Sequence, residues 1–434
     1  MRETLQRLQT RSAFGLQAVA LFFLDGVANV ADFAFHFWMG HVLIPADFAV
    51  LQTLNSVSLV YTTASGVFQP VVSRYVAEAR GKGQDDSVPA IFQSFLRAAF
   101  WLGLILGTLV FVCAGVIGQF LNLPAWTIQI SAALIVLSTL RPIAAGALQG
   151  GENFISFGIA RLALSFARLL IVFLLVRAGL GLTGAVIALP LGWLVSVLCG
   201  FLLLGRTFWV RSKRTSQNLV REGMKLSFYA LLAYVAYMSL TSLDLIWVNR
   251  NLNGELAGAY AGLVLMRRIV ALLPGVAVTV MFPRVVRSLA AGKLPTRILA
   301  QTAAIILTVS GTLSVLYFIF NDQLIDMVFG SDYQAGIPLL GWMGLAMIGV
   351  SLSSIWLNYY LADQPRDFVI LLALAVGFEW TLLSLLSPSL QSAVIAFGAT
   401  GWLLSIAGLV LYILKIGRLR DQILRIWSRN DINA

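Results

Sequence analysis

The chain has 434 residues, of which 59% are hydrophobic and only 11% charged, with a mean hydropathy of +0.87. Soluble domains carry about 25% charged residues, so the composition argues against a water-facing globular protein and against a soluble enzyme. The net charge of +11 invites a nucleic-acid reading, but about 22 of the basic residues fall in alternate loops and at the termini, about two in the loops between, and about six inside apolar segments. That is the positive-inside pattern of a membrane protein whose basic loops face the cytoplasm, with no nucleic-acid partner.

The basic start, Met1–Arg11, leads into an apolar segment that contains Asp25 and Asp32 and has no small-residue cleavage site. It reads as a retained first span and not as a signal peptide. Apolar runs of about 20 residues then recur along the chain, each long enough to cross about 30 Å of hydrocarbon as a helix. They are continuously apolar and do not alternate, which selects helices over barrel strands. The fold class expected is an all-α polytopic membrane protein with about twelve transmembrane helices. The spans are predicted at roughly 14–39, 46–73, 90–116, 127–149, 154–177, 184–205, 226–249, 257–283, 297–320, 335–361, 368–387 and 392–415. An even number places both termini in the cytoplasm, and Arg418, Arg420, Arg425 and Arg429 near the end agree.

The connections are short, leaving no soluble domain to hold a catalytic centre. The longest, roughly 206–225, carries Arg206, Arg211, Lys213, Arg214 and Arg221 and divides a six-helix half at 1–205 from another at 226–415, with a basic tail at 416–434. The halves echo one another. Asp32 precedes Arg74 by 42 residues, and Asp244 precedes Arg284 by 40; Gly81-Lys82 and Gly292-Lys293 follow. With six spans each, the halves would be related by a parallel pseudo-twofold along the membrane normal.

Charges within spans are costly and therefore candidates for function. In the first span Asp25, Asn29, Asp32 and His36 fall within about 60° of one another, a polar stripe about 16 Å long. It either lines a hydrated cavity, where it could relay a cation or proton, or neutralises arginines on other helices; both can hold. Arg97, Arg141, Arg161 and Arg168 form a cationic set in the third to fifth spans, with Arg161 and Arg168 seven residues apart on one face. Arg97, Arg141 and Arg161 lie close enough to the cytoplasmic boundary to snorkel, whereas Arg168 is too deep. Arg267 and Arg268 lie near mid-membrane about 100° apart, so one of the two is expected to face inward. Guanidinium stays charged and its planar fork suits phosphate oxygens, so arginines in excess of acids point to an anion site, structural pairing being the alternative. Glu379 is a further intramembrane acid that matches no motif.

No G-x-x-x-x-G-K-[ST] loop occurs, so no nucleotide hydrolysis is expected of this chain. Cys113 and Cys199 lie in apolar helices and suggest no disulfide. His36 and His41 lack ligand spacing, so neither a metal nor a cofactor is expected. Pro70, Pro142, Pro190 and Pro274 permit kinks.

Three stretches resemble the polysaccharide (oligosaccharide) flippases of the multidrug/oligosaccharidyl-lipid/polysaccharide exporter superfamily. Leu140–Gly150 (LRPIAAGALQG) with Glu152-Asn-Phe154 resembles the exit of their fourth helix. Leu243–Val248 (LDLIWV), Leu256–Tyr260 (LAGAY) and Leu265–Arg268 (LMRR) resemble their seventh and eighth, and Phe329–Tyr333 (FGSDY) their outer loop before the tenth. The resemblance implies two six-helix lobes around a V-shaped central cavity, alternating access, and a polyprenyl-diphosphate-linked oligosaccharide moved from the cytoplasmic to the outer leaflet of a bacterial inner membrane for surface polysaccharide biosynthesis. Carried onto this chain, the arginines Arg97, Arg141, Arg161, Arg168 and Arg268 are candidates to meet the anionic substrate, with Arg141, Arg168 and Arg268 as headgroup contacts. Asp25, Asn29, Asp32 and Asp244 are candidates for coupling to sodium or protons. A polysaccharide polymerase or glycosyltransferases would be plausible partners. Two alternatives stand beside this reading. A drug/cation antiporter of the same superfamily would have a cavity dominated by carboxylates. A membrane glycosyltransferase or polymerase would need a catalytic carboxylate at an outer loop, where Asp47 is the candidate in the first.

Overall fold

A computed structural model describes the backbone over residues 2–210, 217–363 and 365–430; side chains are described from residue 20 onward, apart from 211–227, 417–430 and a few single positions. Arg211, Lys213, Arg214, Arg221 and the four arginines of the tail therefore lie outside the described side chains, as does most of the 206–225 connection. The described residues are helical, with no strand among them.

The helices are α1 (Arg2–Val42), α2 (Pro45–Gly66), α3 (Phe68–Gly81), α4 (Val88–Val112), α5 (Ala114–Leu121), α6 (Ala125–Gly150), α7 (Phe154–Arg177) and α8 (Gly181–Leu203). After the central connection come α9 (Gln217–Asn251), α10 (Gly254–Ala290), α11 (Thr296–Ile319), α12 (Asn321–Phe329), α13 (Leu340–Ala362), α14 (Pro365–Leu385) and α15 (Leu390–Asn430). Among the described residues nine helical segments are long and apolar enough to cross a membrane, ten with α10 counted as one bent span. The two remaining predicted spans coincide with α1 and with α2–α3. In α2 the polar residues Gln52, Thr53, Ser56 and Ser58 are buried against protein, so its low hydropathy is no obstacle to a place inside a bundle.

Local chemistry sets the boundaries. Pro45 and Pro89 occupy the first turns of α2 and α4, where their missing N–H has no intrahelical partner to lose. Asn153 caps α7 by accepting from the Ser156 N–H at 3.3 Å. Asn122 ends α5 in the left-handed conformation, φ 54°. Of the prolines that would permit kinks, Pro142 and Pro190 lie within unbroken α6 and α8, while α10 bends by 41° between Gly254–Leu272 and Pro274–Leu289.

The chain forms two compact units. The first comprises Met1–Met238, Leu245–Ala261 and Asp326–Tyr333; the second comprises Ser239–Asp244, Gly262–Ile325 and Gln334–Ala434. Their limits differ from a simple cut at the central connection, because the ends of α9, α10 and α12 belong with the first unit. Gly258 of α10 is the clearest reason. A Cβ there would stand 2.3 Å from the Pro45 carbonyl oxygen, so only glycine lets this turn approach α2. Asn249 of α9 adds to it by donating to the Leu121 carbonyl at 2.8 Å, while Asn122 donates to the Asn249 carbonyl at 3.0 Å.

Inside the first unit, α3, α4 and α6 bury Phe68, Val72, Val76, Phe92, Phe95, Ile143 and Leu148 in one cluster. The opposite face of α4 exposes Trp101, Leu104, Ile105, Phe111 and Val112. An apolar stripe of that length is a lipid-facing surface.

Candidate functional site

The polar stripe of α1 meets α7. Asp25, Asn29 and Asp32 recur at near-helical spacing, and all three converge on one guanidinium. Arg161 approaches Asp25 at 3.7 Å, donates to the Asn29 side-chain oxygen at 3.2 Å and to Asp32 Oδ2 at 2.9 Å. Arg168, two turns further along α7, donates to Asp32 Oδ1 at 2.7 Å. Asp32 thus ties two arginines of one helical face. Arg161 is steadied by Ser165, whose hydroxyl accepts at 2.9 Å. Arg168 is buried, lies over the Phe35 ring at 4.5 Å, and its Nε has no acceptor. Gly192 of α8 makes room for it: a Cβ there would stand 2.8 Å from that of Arg168.

Arg141 of α6 completes the group. Its Nε donates to the Ser196 hydroxyl at 3.0 Å, and Ser196 in turn donates to the Ala160 carbonyl at 2.6 Å. Its guanidinium lies 5.5 Å over the Trp193 ring. Arg161, Asp32 and Asp25 all lie within electrostatic reach of it. No carboxylate among the described residues comes within ion-pairing distance of Arg141. The cluster therefore holds three guanidiniums against two carboxylates, one of which, Asp25, is more than half exposed. One positive charge is left over.

Two expected members, Arg97 and His36, are placed elsewhere. Arg97 is exposed on the same face of α4 as Trp101 and Leu104, so it belongs with the lipid-facing stripe, where an arginine near a helix end snorkels. His36 does not continue the α1 stripe toward the arginines. It is buried, shares a 3.0 Å hydrogen bond with Gln52 of α2 and packs edge-on to Phe35. Gln52 carried no signal in the sequence, since one glutamine in a helix of serines and threonines has no distinguishing pattern.

Of the adjacent pair on α10, Arg267 is the one sunk in protein. Its guanidinium pairs with both oxygens of Asp244, at 3.1 Å for the Nη2–Oδ1 contact, and donates to the Thr241 carbonyl at 2.7 Å. It lies 4.0 Å over the Phe397 ring. Arg268 is partly exposed. Asp244 and Glu379 are fully buried. In each unit an aspartate on the first helix of a sequence half holds an arginine of that unit. No group of three or more potential metal-ligating side chains occurs among the described residues.

A polytopic helical bundle whose first unit sets three arginines against two carboxylates is the framework of an integral membrane protein. Comparison with known proteins gives the family. The model of the family described as "Polysaccharide biosynthesis protein" matches residues 17–289, more than half of the chain. No curated protein matches in sequence. Among solved structures, the inward-facing conformation of a multidrug resistance MATE family transporter of the MOP superfamily is similar at a TM-score of 0.73, with 14% identity, over 91% of this chain and 95% of that one. The lipid II flippase MurJ in an inward closed conformation is similar at 0.70, with 14% identity, over 92% and 87%. The eukaryotic MATE transporter AtDTX14 is similar at 0.66, with 12% identity, over 94% and 96%. At such identities these likenesses establish the fold. The chain belongs to the polysaccharide biosynthesis protein family, and its fold is the one shared by these MATE transporters and by MurJ.

Proposed function

We propose that the protein is a flippase for a polyprenyl-diphosphate-linked oligosaccharide, moving it from the cytoplasmic to the outer leaflet of a bacterial inner membrane, with both termini cytoplasmic. The observation that carries this reading is the surplus guanidinium at Arg141, Arg161 and Arg168. An unneutralised positive charge in a bundle is costly, and a diphosphate that comes and goes supplies the missing negative charge. Arg141 is the best-prepared contact. Ser196 fixes its Nε and Trp193 supports its face, leaving the two terminal nitrogens for a bidentate grip on phosphate oxygens. Arg161 and Arg168 engage the anion by exchanging Asp32 for it. In this reading the passenger competes with Asp32, the two helical units alternate access, and a cation or proton acting at Asp25, Asn29, Asp32 or Asp244 resets the carrier.

The MATE-like fold also suits a drug/cation antiporter, but a drug cation would be repelled by a cluster whose net charge is positive. The test is reconstitution into vesicles with a fluorescent polyprenyl-diphosphate oligosaccharide, reading its exposure to an external lectin. Protein-dependent exposure is expected, together with at least a tenfold loss in Arg141→Gln, the equivalent of removing about 1.4 kcal/mol of anion binding. Equal transport of an uncharged glycolipid with the same glycan would sink the anion-site reading.

A further inference from the structure

Glu379 of α14 takes no part in the arginine cluster, which lies in the other unit. Its side chain is fully buried, and neither carboxylate oxygen has a hydrogen-bond partner. Asp244 and Arg267 are the charged groups whose fields act on it. Arg267 is already committed, both terminal nitrogens going to Asp244 and one also to the Thr241 carbonyl. Two buried carboxylates thus lie within electrostatic reach of one buried guanidinium. If both were ionised, these three side chains together would carry a net charge of −1.

Burial of an isolated carboxylate costs far more than taking up a proton, so such a group neutralises instead. The compensating charge is either a metal cation or a proton. A metal cation takes about six or more oxygen ligands at about 2.0–2.6 Å. Among the described residues no third His, Cys, Asp or Glu side chain joins Asp244 and Glu379 in such a cluster, and Arg267 already occupies the oxygens of Asp244. A proton needs only one carboxylate oxygen, and Glu379 offers two without partners.

We propose that Glu379 is a proton-binding site: the Asp244–Arg267–Glu379 group holds one proton, resident on Glu379, while it is dry, and releases it to water in conformations that hydrate it. The bond broken is the carboxyl O–H, and the proton passes to water, leaving a carboxylate that shares Arg267 with Asp244. This rests on the chain being a transporter, but not on what it carries.

The test begins with the purified protein in detergent, without substrate, by infrared spectroscopy. A protonated-carboxyl C=O stretch is expected in the wild type and is lost in Glu379→Gln. It is also lost in Asp244→Asn, because one carboxylate facing one guanidinium no longer needs a proton. Persistence of that band in Asp244→Asn overturns the proposal even if Glu379→Gln fails to fold, and so does its absence from the wild type. In vesicles, Glu379→Gln is expected to lose the response of transport to an imposed pH gradient while still binding the lipid-linked substrate; an undiminished response overturns the proposal. Failure of the vesicles to transport a diphosphate lipid, with the infrared pattern as expected, would count against the substrate and not against the proton site.

Discussion

Arg168 reaches Asp32 at 2.7 Å across the α1–α7 interface, and the other oxygen of the same carboxylate is taken by Arg161 at 2.9 Å. One acid therefore holds two arginines of the same helical face. Removing one partner of a buried ion pair costs about 3–5 kcal/mol. Asp32 retains about a quarter of its exposure, so Asp32→Ala is expected to lose about 1–3 kcal/mol. A lowered Tm in detergent would register that loss. Inorganic pyrophosphate is expected to raise the Tm of the variant more than that of the wild type, since no carboxylate then competes for the two guanidiniums. A variant that melts with the wild type and ignores pyrophosphate would show that Asp32 does not hold these arginines.

Gly192 tests the same site from α8. A Cβ at this position would stand 2.8 Å from the Arg168 Cβ, 3.2 Å from its Cα and 3.2 Å from the Leu164 carbonyl. Two of the three neighbours are backbone atoms, which no rotamer change can move aside. Gly192→Ala must therefore push α7 and α8 apart, an overpacking worth about 1–3 kcal/mol. Transport is expected to fall more than stability predicts, because Arg168 moves with α7. Wild-type activity and Tm in this variant would mean that the two helices are looser than their packing implies.

Much of this architecture is legible in the sequence because lipid enforces simple rules. Twenty-residue apolar runs must be helices, and a charge among them must find a partner. That is why Asp25, Asn29 and Asp32 could be read as one face and why Arg161 and Arg168 could be grouped on another. Periodicity places residues around a helix axis but does not say how that helix is turned. Arg267 and Arg268 are adjacent, and only packing against α9 and Phe397 selects Arg267 for the interior. His36 sits on the stripe in a helical projection, yet at its level along α1 the neighbour is Gln52 and not an arginine. The exchange between Asn122 and Asn249 spans 127 residues of sequence, and two asparagines carry no mark that they belong together. Glu379 was conspicuous as a buried acid, but its neighbours come from helices far away in the chain.

Arg97 and Arg141 separate depth from function. Both are single arginines within about two turns of the predicted cytoplasmic boundary, so depth did not distinguish them, although only Arg141 lies in a stretch that resembles the flippases. In the structure Arg97 shares the exposed face of Trp101 and Leu104, while Arg141 is fixed by Ser196 and Trp193 beside Arg161. A snorkelling arginine gives up little when replaced by another polar residue, since its charge already sits in the headgroup region. Arg97→Gln is therefore expected to leave diphosphate-lipid binding within about twofold of wild type, a change of less than about 0.5 kcal/mol. Arg141→Gln removes a charge-assisted contact worth about 1.5–3 kcal/mol, which is about a tenfold to hundredfold loss of affinity. Titration of both variants with the same diphosphate lipid at one ionic strength makes the comparison, because salt screens the exposed charge more than the half-buried one. Equal losses in the two would place the headgroup at the membrane surface, and Arg141 would then be an element of helix packing alone.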